Sequence, residues 1–325
     1  MPKAIVCRAL GAPEILRLED FPSQVLKPGQ VRVRIRAAGI NFPDILMAAG
    51  EYQLKPELPF TPGMEAAGDI SEIADDVTGF KPGDRVIVKL RFGGYAEEVV
   101  VAPSQLTLLP STFDYAEGAT FLAAHGTAHH ALVDRGQVKA GEVLLVHGAG
   151  GGVGLAAVEI GKLLGATVIA AASSEEKLAV ARARGADHGI LYGAEPFKDA
   201  VKRITDGRGA DVVFDPVGGD IFEQSLRCIN WGARLLVIGF TGGIGVAKTN
   251  LVLIKGASVL GVRAGEAARR DPKIGQERLK TLFAWAEAGK VRPNVSHRLP
   301  LADVAQAMRL LTDRKAIGRV ALLME

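Results

Sequence analysis

The sequence predicts an α/β protein with a doubly wound parallel sheet in its middle and a second, β-rich domain. Three observations lead to this fold class. A glycine cluster follows an apolar run at residues 143–146, apolar runs then alternate with helical patterns as far as residue 261, and the first 120 residues hold short strand patterns broken by Gly and Pro. Strand–helix alternation implies a parallel sheet covered by helices on both faces.

The glycine cluster has the spacing Ala149-x-Gly151-x-x-Gly154, with Gly152 and Val153 inside it. This is close to the dinucleotide-binding pattern G-x-G-x-x-G. Glycine lets the chain turn sharply after a strand, lets a pyrophosphate approach the backbone and lets the next helix pack tightly on the strand. Phosphates then bind where free N–H groups and the helix dipole favour anions. These five residues are candidate cofactor contacts; the alternative is a tight strand–helix turn that holds no ligand.

The elements that follow are predicted from the same kinds of pattern. Residues 166–172 have the composition of the next parallel strand. Ser173 and Glu176 have the spacing of a capping box, which predicts a helix that starts here and stops at Gly185. Further strands are predicted at 210–214, 234–238 and 258–261, with helical patterns between most of them.

Length and composition restrict the function. A chain of 325 residues predicts two domains, and 48% hydrophobic with 23% charged residues is typical of a globular protein. The net charge of +3 argues against a nucleic-acid surface. No apolar stretch approaches the ~18 residues of a membrane span, and the first residues lack a signal-peptide pattern. We therefore expect a cytoplasmic protein in which Cys7 and Cys228 are small buried side chains.

The domain boundaries are predicted from changes in pattern. We expect a first domain over 1–122, resembling a partly open β-barrel, with strands that include 31–37, 65–70 and 84–88. A helical pattern over 115–131 leads into a dinucleotide-binding domain over 123–265. Residues 266–325 are expected to return to the first domain, with helices at 276–288 and 301–311 and a closing strand at 318–323.

Several separate motifs occur in one order along the chain. They are Ala38-Gly39-Ile40-Asn41-Phe42-Pro43-Asp44, Gly50-Glu51-Tyr52, Pro62-Gly63-Met64-Glu65-Ala66-Ala67-Gly68, the glycine cluster, Gly185-Ala186-Asp187-His188 and Asp215-Pro216-Val217-Gly218-Gly219. Together they resemble the zinc-free quinone oxidoreductase (zeta-crystallin-like) branch of the medium-chain dehydrogenase/reductase superfamily, over essentially the whole chain. The resemblance implies a Rossmann nucleotide-binding domain and a discontinuous GroES-like catalytic domain.

The zinc ligands of related branches are missing here. Zinc-dependent relatives hold the metal through a Cys and a Gly-His-Glu segment, and this chain has Asn41, then Met64 and Glu65, at those positions. Zinc prefers thiolate or imidazole ligands, so we expect no metal. Asp44 and Glu65 are expected to make ordinary loop hydrogen bonds. Without a Lewis acid to activate an alcohol, the chemistry is expected to run from reduced cofactor to an already electrophilic acceptor.

The predicted cofactor is NADPH. NAD-specific folds place an acid at the end of the second strand to bind the ribose 2′-hydroxyl, but here that strand ends before Ser173. Ser173 and Lys177 are candidate contacts for a 2′-phosphate, because one offers a hydrogen bond and the other a point charge. The resemblance places Tyr192 beside the adenine or this phosphate.

The resemblance also implies residues around the nicotinamide. These are Asn41, Thr127, Phe240, Val262, Arg263 and Arg319. Tyr52 and Asn41 are the candidate catalytic residues, as hydrogen-bond donors to the acceptor carbonyl.

The implied activity is zinc-independent, NADPH-dependent hydride transfer to a quinone or an α,β-unsaturated carbonyl. One alternative is an enoyl-thioester reductase of the same superfamily, and another is a weakly catalytic NADPH-binding protein with a regulatory or crystallin-like role. A small-molecule acceptor is the expected partner, with no nucleic acid and no membrane. The apolar edge pattern at 257–262 predicts a homodimer.

Overall fold

The computed structural model describes residues 1–324. The chain divides into two compact units, the first made of residues 1–123 with the segment from 293 onward, and the second of residues 124–292.

The strands follow in chain order. They are β1 (Lys3–Val6), β2 (Arg17–Asp20), β3 (Val31–Gly39), β4 (Glu65–Ile73), β5 (Arg85–Lys89), β6 (Glu98–Val101), β7 (Leu106–Leu108), β8 (Val143–Val146), β9 (Thr167–Ala172), β10 (His188–Leu191), β11 (Ala210–Asp215), β12 (Ile229–Val237), β13 (Ser258–Gly261), β14 (Val295–Pro300) and β15 (Arg319–Leu323).

The α-helices are α1 (Phe42–Ala49), α2 (Tyr115–Gly118), α3 (Leu122–His129), α4 (Gly152–Leu163), α5 (Glu175–Ala183), α6 (Phe197–Ile204), α7 (Gly219–Ser225), α8 (Thr249–Lys255), α9 (Ala264–Arg270), α10 (Pro272–Glu287) and α11 (Val304–Thr312). Short 3₁₀ turns occur at Pro13–Ile15, Pro103–Gln105 and Leu301–Asp303, and α3 continues as a π-helix over His130–Arg135. No helix within residues 1–324 is long and apolar enough to cross a membrane.

The second unit is built on a parallel sheet, which in the described part of the chain has six strands in the order β10-β9-β8-β11-β12-β13. The chain starts in the middle with β8, winds to one edge, returns beside β8 and winds to the other edge. All residues of β8 and β11 are buried, as expected for strands covered on both faces. The predicted doubly wound fold is confirmed, and the loop after β8 lies at its switch point, where such sheets bind ligands.

The first unit is β-rich and discontinuous, as predicted. Its main sheet has the order β14-β15-β3-β4-β5-β7, with β6 also paired to β3, and β1 and β2 form a separate hairpin. The strand β15, from the end of the chain, pairs antiparallel with β3, from near its beginning. One hydrophobic core joins these parts.

Three of the differences between the structure and the sequence prediction concern the second unit and its boundary. The helix α5 is capped by Ser174, whose Oγ accepts from the Lys177 N–H, rather than by Ser173. Strand β10 was not predicted, because His188 and Gly189 interrupt its apolar pattern. The return to the first unit starts at residue 293 rather than 266. The reason is that an amphipathic pattern does not show which unit a helix packs on. The helix α10 belongs to the second unit, where its Arg278 forms an ion pair with Asp134.

Candidate functional site

The glycine loop joins β8 to α4. Gly148 has a φ of +57°, and Gly151 is the N-cap of α4. A Cβ on Gly154 would lie 2.3 Å from the Gly148 carbonyl oxygen, so this position requires glycine for the helix to approach the loop. Ala149 is fully buried and donates its N–H to the Ala171 carbonyl in β9. The N–H groups that begin α4, at Gly152 and Val153, are those that a helix leaves without intrahelical partners and that suit an anion.

Lys177 lies over this loop. A Cβ on Gly150 would come within 2.6 Å of the Lys177 side chain, so glycine makes room for the lysine stem. The Lys177 Nζ donates to the exposed Ser173 Oγ at 3.2 Å. The structure thus brings together Ser173, Lys177 and the loop, a cation and hydroxyl beside a helix N-terminus. This is a suitable environment for a phosphate.

Tyr192 lies just after β10, with its hydroxyl turned to the start of the loop. Its oxygen is 2.7 Å from His147 Nδ1 and 3.4 Å from the Gly148 nitrogen. His147 is fully buried, its Nε2 is 2.9 Å from Ser225 Oγ, and burial lowers its pKa to about 3. Burial likewise raises the pKa of Tyr192. His147 and Ser225 are not among the residues predicted from the sequence; the position of a His directly before Gly148 is the signal that points to the first of them.

In the first unit, a buried ion pair lies where α1 begins. Arg319 Nη2 donates to Glu65 Oε1 at 2.5 Å and to Asn41 Oδ1 at 2.9 Å. The Asn41 amide donates to Glu65 Oε1 at 3.3 Å and to the Gly39 carbonyl at 3.4 Å, and Glu65 Oε2 accepts from the Ala123 N–H. All three residues are at most 7% exposed. Arg319 therefore lies in the interior, in a strand between β14 and β3.

Asp44 lies beside this pair. Its Oδ2 accepts from the Asn41 N–H and from the Tyr95 hydroxyl at 2.9 and 2.8 Å, which fixes the first turn of α1. Burial is the main cause that raises the pKa of Asp44 to about 7, and the Glu65 carboxylate adds to it. Tyr95 was not predicted, because it lies in a loop with no motif around it.

The other predicted site residues lie on several elements. Tyr52 is half-buried against the core of the first unit. In the second unit, Thr127 lies in α3, Phe240 in the loop after β12 with 55% of its surface exposed, and Val262 and Arg263 directly after β13, the first buried and the second exposed.

The donor set does not fit zinc. The positions of the ligands in zinc-dependent relatives hold an amide (Asn41), a thioether (Met64) and a carboxylate (Glu65) that is already paired with Arg319. Within residues 1–324, no group of three or more His, Cys, Asp or Glu side chains is arranged to hold a metal ion. Two buried histidines of α3 and its extension have protein partners: His125 bonds Glu159, and His130 bonds Asp134.

Known proteins similar to this chain agree with this architecture. A family model described as "Alcohol dehydrogenase GroES-like domain" matches residues 27–111, and one described as "Zinc-binding dehydrogenase" matches 152–286. The second match lies within the nucleotide-binding unit and does not include Asn41 or Met64.

Relatives that match nearly the whole of this chain extend the likeness. A quinone oxidoreductase-like protein 2 homolog of Nematostella vectensis is 37% identical over 98% of this chain and 88% of its own. The solved structure of an Escherichia coli quinone oxidoreductase complexed with NADPH has a TM-score of 0.91 at 28% identity, covering 99% of this chain and 100% of that one. A structure described as an NAD-dependent alcohol dehydrogenase has a TM-score of 0.91 at 33% identity, covering 99% and 100%.

A GroES-like unit joined to a Rossmann unit with a glycine loop defines an oxidoreductase of the medium-chain dehydrogenase/reductase class. Within that class, the chain belongs to the quinone oxidoreductase family.

Proposed function

We propose that the protein is a zinc-independent reductase that uses NADPH to reduce a quinone or an α,β-unsaturated carbonyl. The observation that carries the proposal is the replacement of a metal site by the buried Arg319–Glu65–Asn41 cluster. A cytoplasmic location and a homodimeric state, both expected from the sequence, are parts of the same proposal.

The cofactor side of the proposal rests on the glycine loop. The helix N-terminus formed by Gly151, Gly152 and Val153 would hold the pyrophosphate, and Ser173 with Lys177 would hold the 2′-phosphate. No acid stands at the end of β9 to select the 2′-hydroxyl. The Escherichia coli relative bound to NADPH supports this assignment. When bound, the reduced nicotinamide supplies the hydride.

The acceptor side rests on hydrogen bonding rather than on metal activation. A conjugated carbonyl is already electrophilic, so the protein needs only to orient it, exclude water and donate to the oxygen on which charge develops. Tyr52 is the stronger of the two candidate donors, because both Asn41 amide hydrogens already have protein acceptors, Gly39 and Glu65. On this basis Asn41 acts mainly by holding the Arg319 guanidinium in place.

A steady-state screen tests the proposal. The oxidation of NADPH and of NADH would be followed with small quinones, with enones and with enoyl-CoA thioesters, and the reverse reaction with ethanol and benzyl alcohol. We expect turnover with quinones or enones, a preference for NADPH and poor alcohol oxidation. Fast thioester reduction would favour the enoyl-thioester alternative, and tight NADPH binding without turnover would favour the regulatory one. Alcohol oxidation as fast as quinone reduction would contradict the reaction class.

A further inference from the structure

Three side chains from separate elements of the second unit, two of them buried and one partly buried, form one line of hydrogen bonds that ends at the glycine loop. Ser225 lies at the end of α7, His147 directly after β8, and Tyr192 directly after β10. The His147 and Tyr192 rings are nearly parallel, at 18°, with centroids 6.1 Å apart.

The direction of each hydrogen bond follows from the chemistry of the end groups. Ser225 Oγ is 2.7 Å from the Ile221 carbonyl oxygen, and a carbonyl only accepts, so the single hydroxyl hydrogen of Ser225 is used there. The Ser225 oxygen must then accept at its other contact, 2.9 Å from His147 Nε2. His147 therefore carries its proton on Nε2.

The remaining bonds are then determined. Burial lowers the pKa of His147 to about 3, so near neutral pH the ring is neutral and its second nitrogen accepts. Tyr192 donates its hydroxyl hydrogen to His147 Nδ1 at 2.7 Å, and the same oxygen faces the Gly148 N–H at 3.4 Å. The Tyr192 hydroxyl hydrogen is thus directed inward, to the residue that begins the loop.

We infer that Ser225, His147 and Tyr192 form a positioning chain that holds the first residues of the glycine loop in the conformation that binds the dinucleotide. In this role the Tyr192 hydroxyl does not recognise the 2′-phosphate, which leaves that recognition to Ser173 and Lys177. The resemblance to known reductases places Tyr192 beside the adenine or this phosphate, and the direction of its hydroxyl bond to His147 does not support the second of these roles. The inference rests on the proposed function only in that the loop binds a dinucleotide.

Equilibrium binding tests the inference without any turnover. Dissociation constants for NADP⁺ and for NAD⁺ would be measured by calorimetry for the wild type, Tyr192→Phe and Ser225→Ala. Each variant loses its hydrogen bond to His147, so we expect both dinucleotides to bind more weakly by the same factor, roughly two- to tenfold. The Ser225 variant is decisive, because Ser225 acts only through His147.

Tyr115→Phe is the matched control. It also removes a tyrosine hydroxyl that bonds a side chain, Asp69, but it lies in the first unit. We expect it to leave both dissociation constants unchanged. A loss confined to NADP⁺ in Tyr192→Phe would overturn the inference, because the hydroxyl would then be reading the phosphate. Unchanged binding in Tyr192→Phe and Ser225→Ala would overturn it as well.

Nitrogen-15 NMR of the histidine rings gives an independent readout. We expect His147 of the wild type as the Nε2–H tautomer near neutral pH; an Nδ1–H tautomer would overturn the assigned bond directions. If the wild type binds both dinucleotides but reduces no acceptor, the proposed function fails and the inference is still tested in full. If the wild type binds neither dinucleotide, both fail.

Discussion

In the proposed function, a single lysine, Lys177, gives the preference for NADPH over NADH. The Lys177 stem packs on Gly150 and its Nζ meets Ser173 beside the loop. Because this contact is solvent-accessible, a phosphate there should gain on the order of 1 kcal/mol from the lysine. We expect Lys177→Ala to raise the Michaelis constant for NADPH several-fold and to leave that for NADH nearly unchanged. Lys280→Ala, an exposed lysine of the same unit, is the control. An equal loss for both cofactors would show that Lys177 does not read the phosphate.

The raised pKa of Asp44 predicts that its contribution to the free energy of unfolding depends on pH. Burial raises its pKa to about 7, whereas an unfolded aspartate titrates near ~3.9. Between these values the folded state binds more protons than the unfolded state. The contribution of Asp44 is therefore fully present below about pH 4 and is lost as the pH rises through about 7, by roughly 4 kcal/mol in total.

Asp44→Asn isolates this effect, because the amide keeps an oxygen for Tyr95 and the Asn41 N–H but does not ionise. The unfolding free energy of the wild type minus that of the variant should fall between about pH 4 and about pH 7 in denaturant titrations. Burial lowers the pKa of His147 to about 3 and acts in the opposite direction, but it is common to both proteins and cancels. A difference that does not change with pH would contradict the prediction.

The prediction on catalysis concerns the two candidate catalytic residues, Tyr52 and Asn41. Removing one donor to a developing oxyanion can cost roughly 3 kcal/mol in a dry site, and less where water substitutes. We expect Tyr52→Phe, which removes the proposed donor, and Asn41→Ala, which removes the residue that holds Arg319, to lower the turnover of a small quinone while the protein still binds NADPH. The Asn41 variant also removes an acceptor from Arg319, so binding and thermal stability would be measured beside turnover. Turnover equal to that of the wild type in both variants would refute the residue assignment but not the reaction class.

At the scale of elements, the contact between α4 and the loop depends on one glycine. A Cβ on Gly154 would lie 2.3 Å from the Gly148 oxygen and 2.8 Å from the Ala149 Cα, and neither backbone atom moves without shifting the helix. We expect Gly154→Ala to destabilise the protein by about 1–3 kcal/mol. Gly126→Ala in α3 meets nothing within 4 Å and should stabilise by up to about 1 kcal/mol. Equal thermal shifts in the two variants would contradict this reading of the helix–loop contact.

Local sequence patterns predict most of the helices and strands of the second unit. The run into the glycine loop, the helix stop at Gly185 and the strand at 258–261 all depend on residues close in sequence, and the structure confirms them. The cap of α5 lies one residue beyond the predicted one, because the adjacent serines offer the same side chain and the local pattern does not distinguish them.

At the scale of the whole molecule, local sequence patterns do not predict the polar cluster that Arg319, Glu65 and Asn41 form in the first unit. Arg319 lies 254 positions from Glu65 and 278 from Asn41. It meets them because β15 pairs with β3 in the register that sets Ala321 opposite Gly39. The resemblance named Arg319 and Asn41 as members of one site, but neither spacing nor periodicity reveals which strands become neighbours. The same holds for Ser225 and His147, which a sheet crossover brings together.

The homodimer is the remaining prediction at this scale, and the structure of the second unit supplies its physical basis. Strand β13 is an edge strand of the parallel sheet, as β10 is at the opposite edge, and Val259 in β13 is 37% exposed. The preceding helix α8 adds Leu253 and Ile254, which are 79% and 64% exposed. An unpaired strand beside exposed apolar side chains favours pairing with another chain, and a two-fold axis would extend the sheet through β13 of both copies.

We expect sedimentation to give a dimer at micromolar concentration for the wild type and a monomer for Val259→Lys, because lysine on an edge strand opposes pairing. Val25→Lys changes an apolar residue that is 79% exposed in the first unit, and it should remain dimeric. A monomeric wild type would refute the dimer itself. In an interface through β13, Val259→Lys would bury one lysine on each side of the two-fold axis and bring two like charges together without a partner. A variant that remains dimeric would therefore show that the interface lies on a different surface.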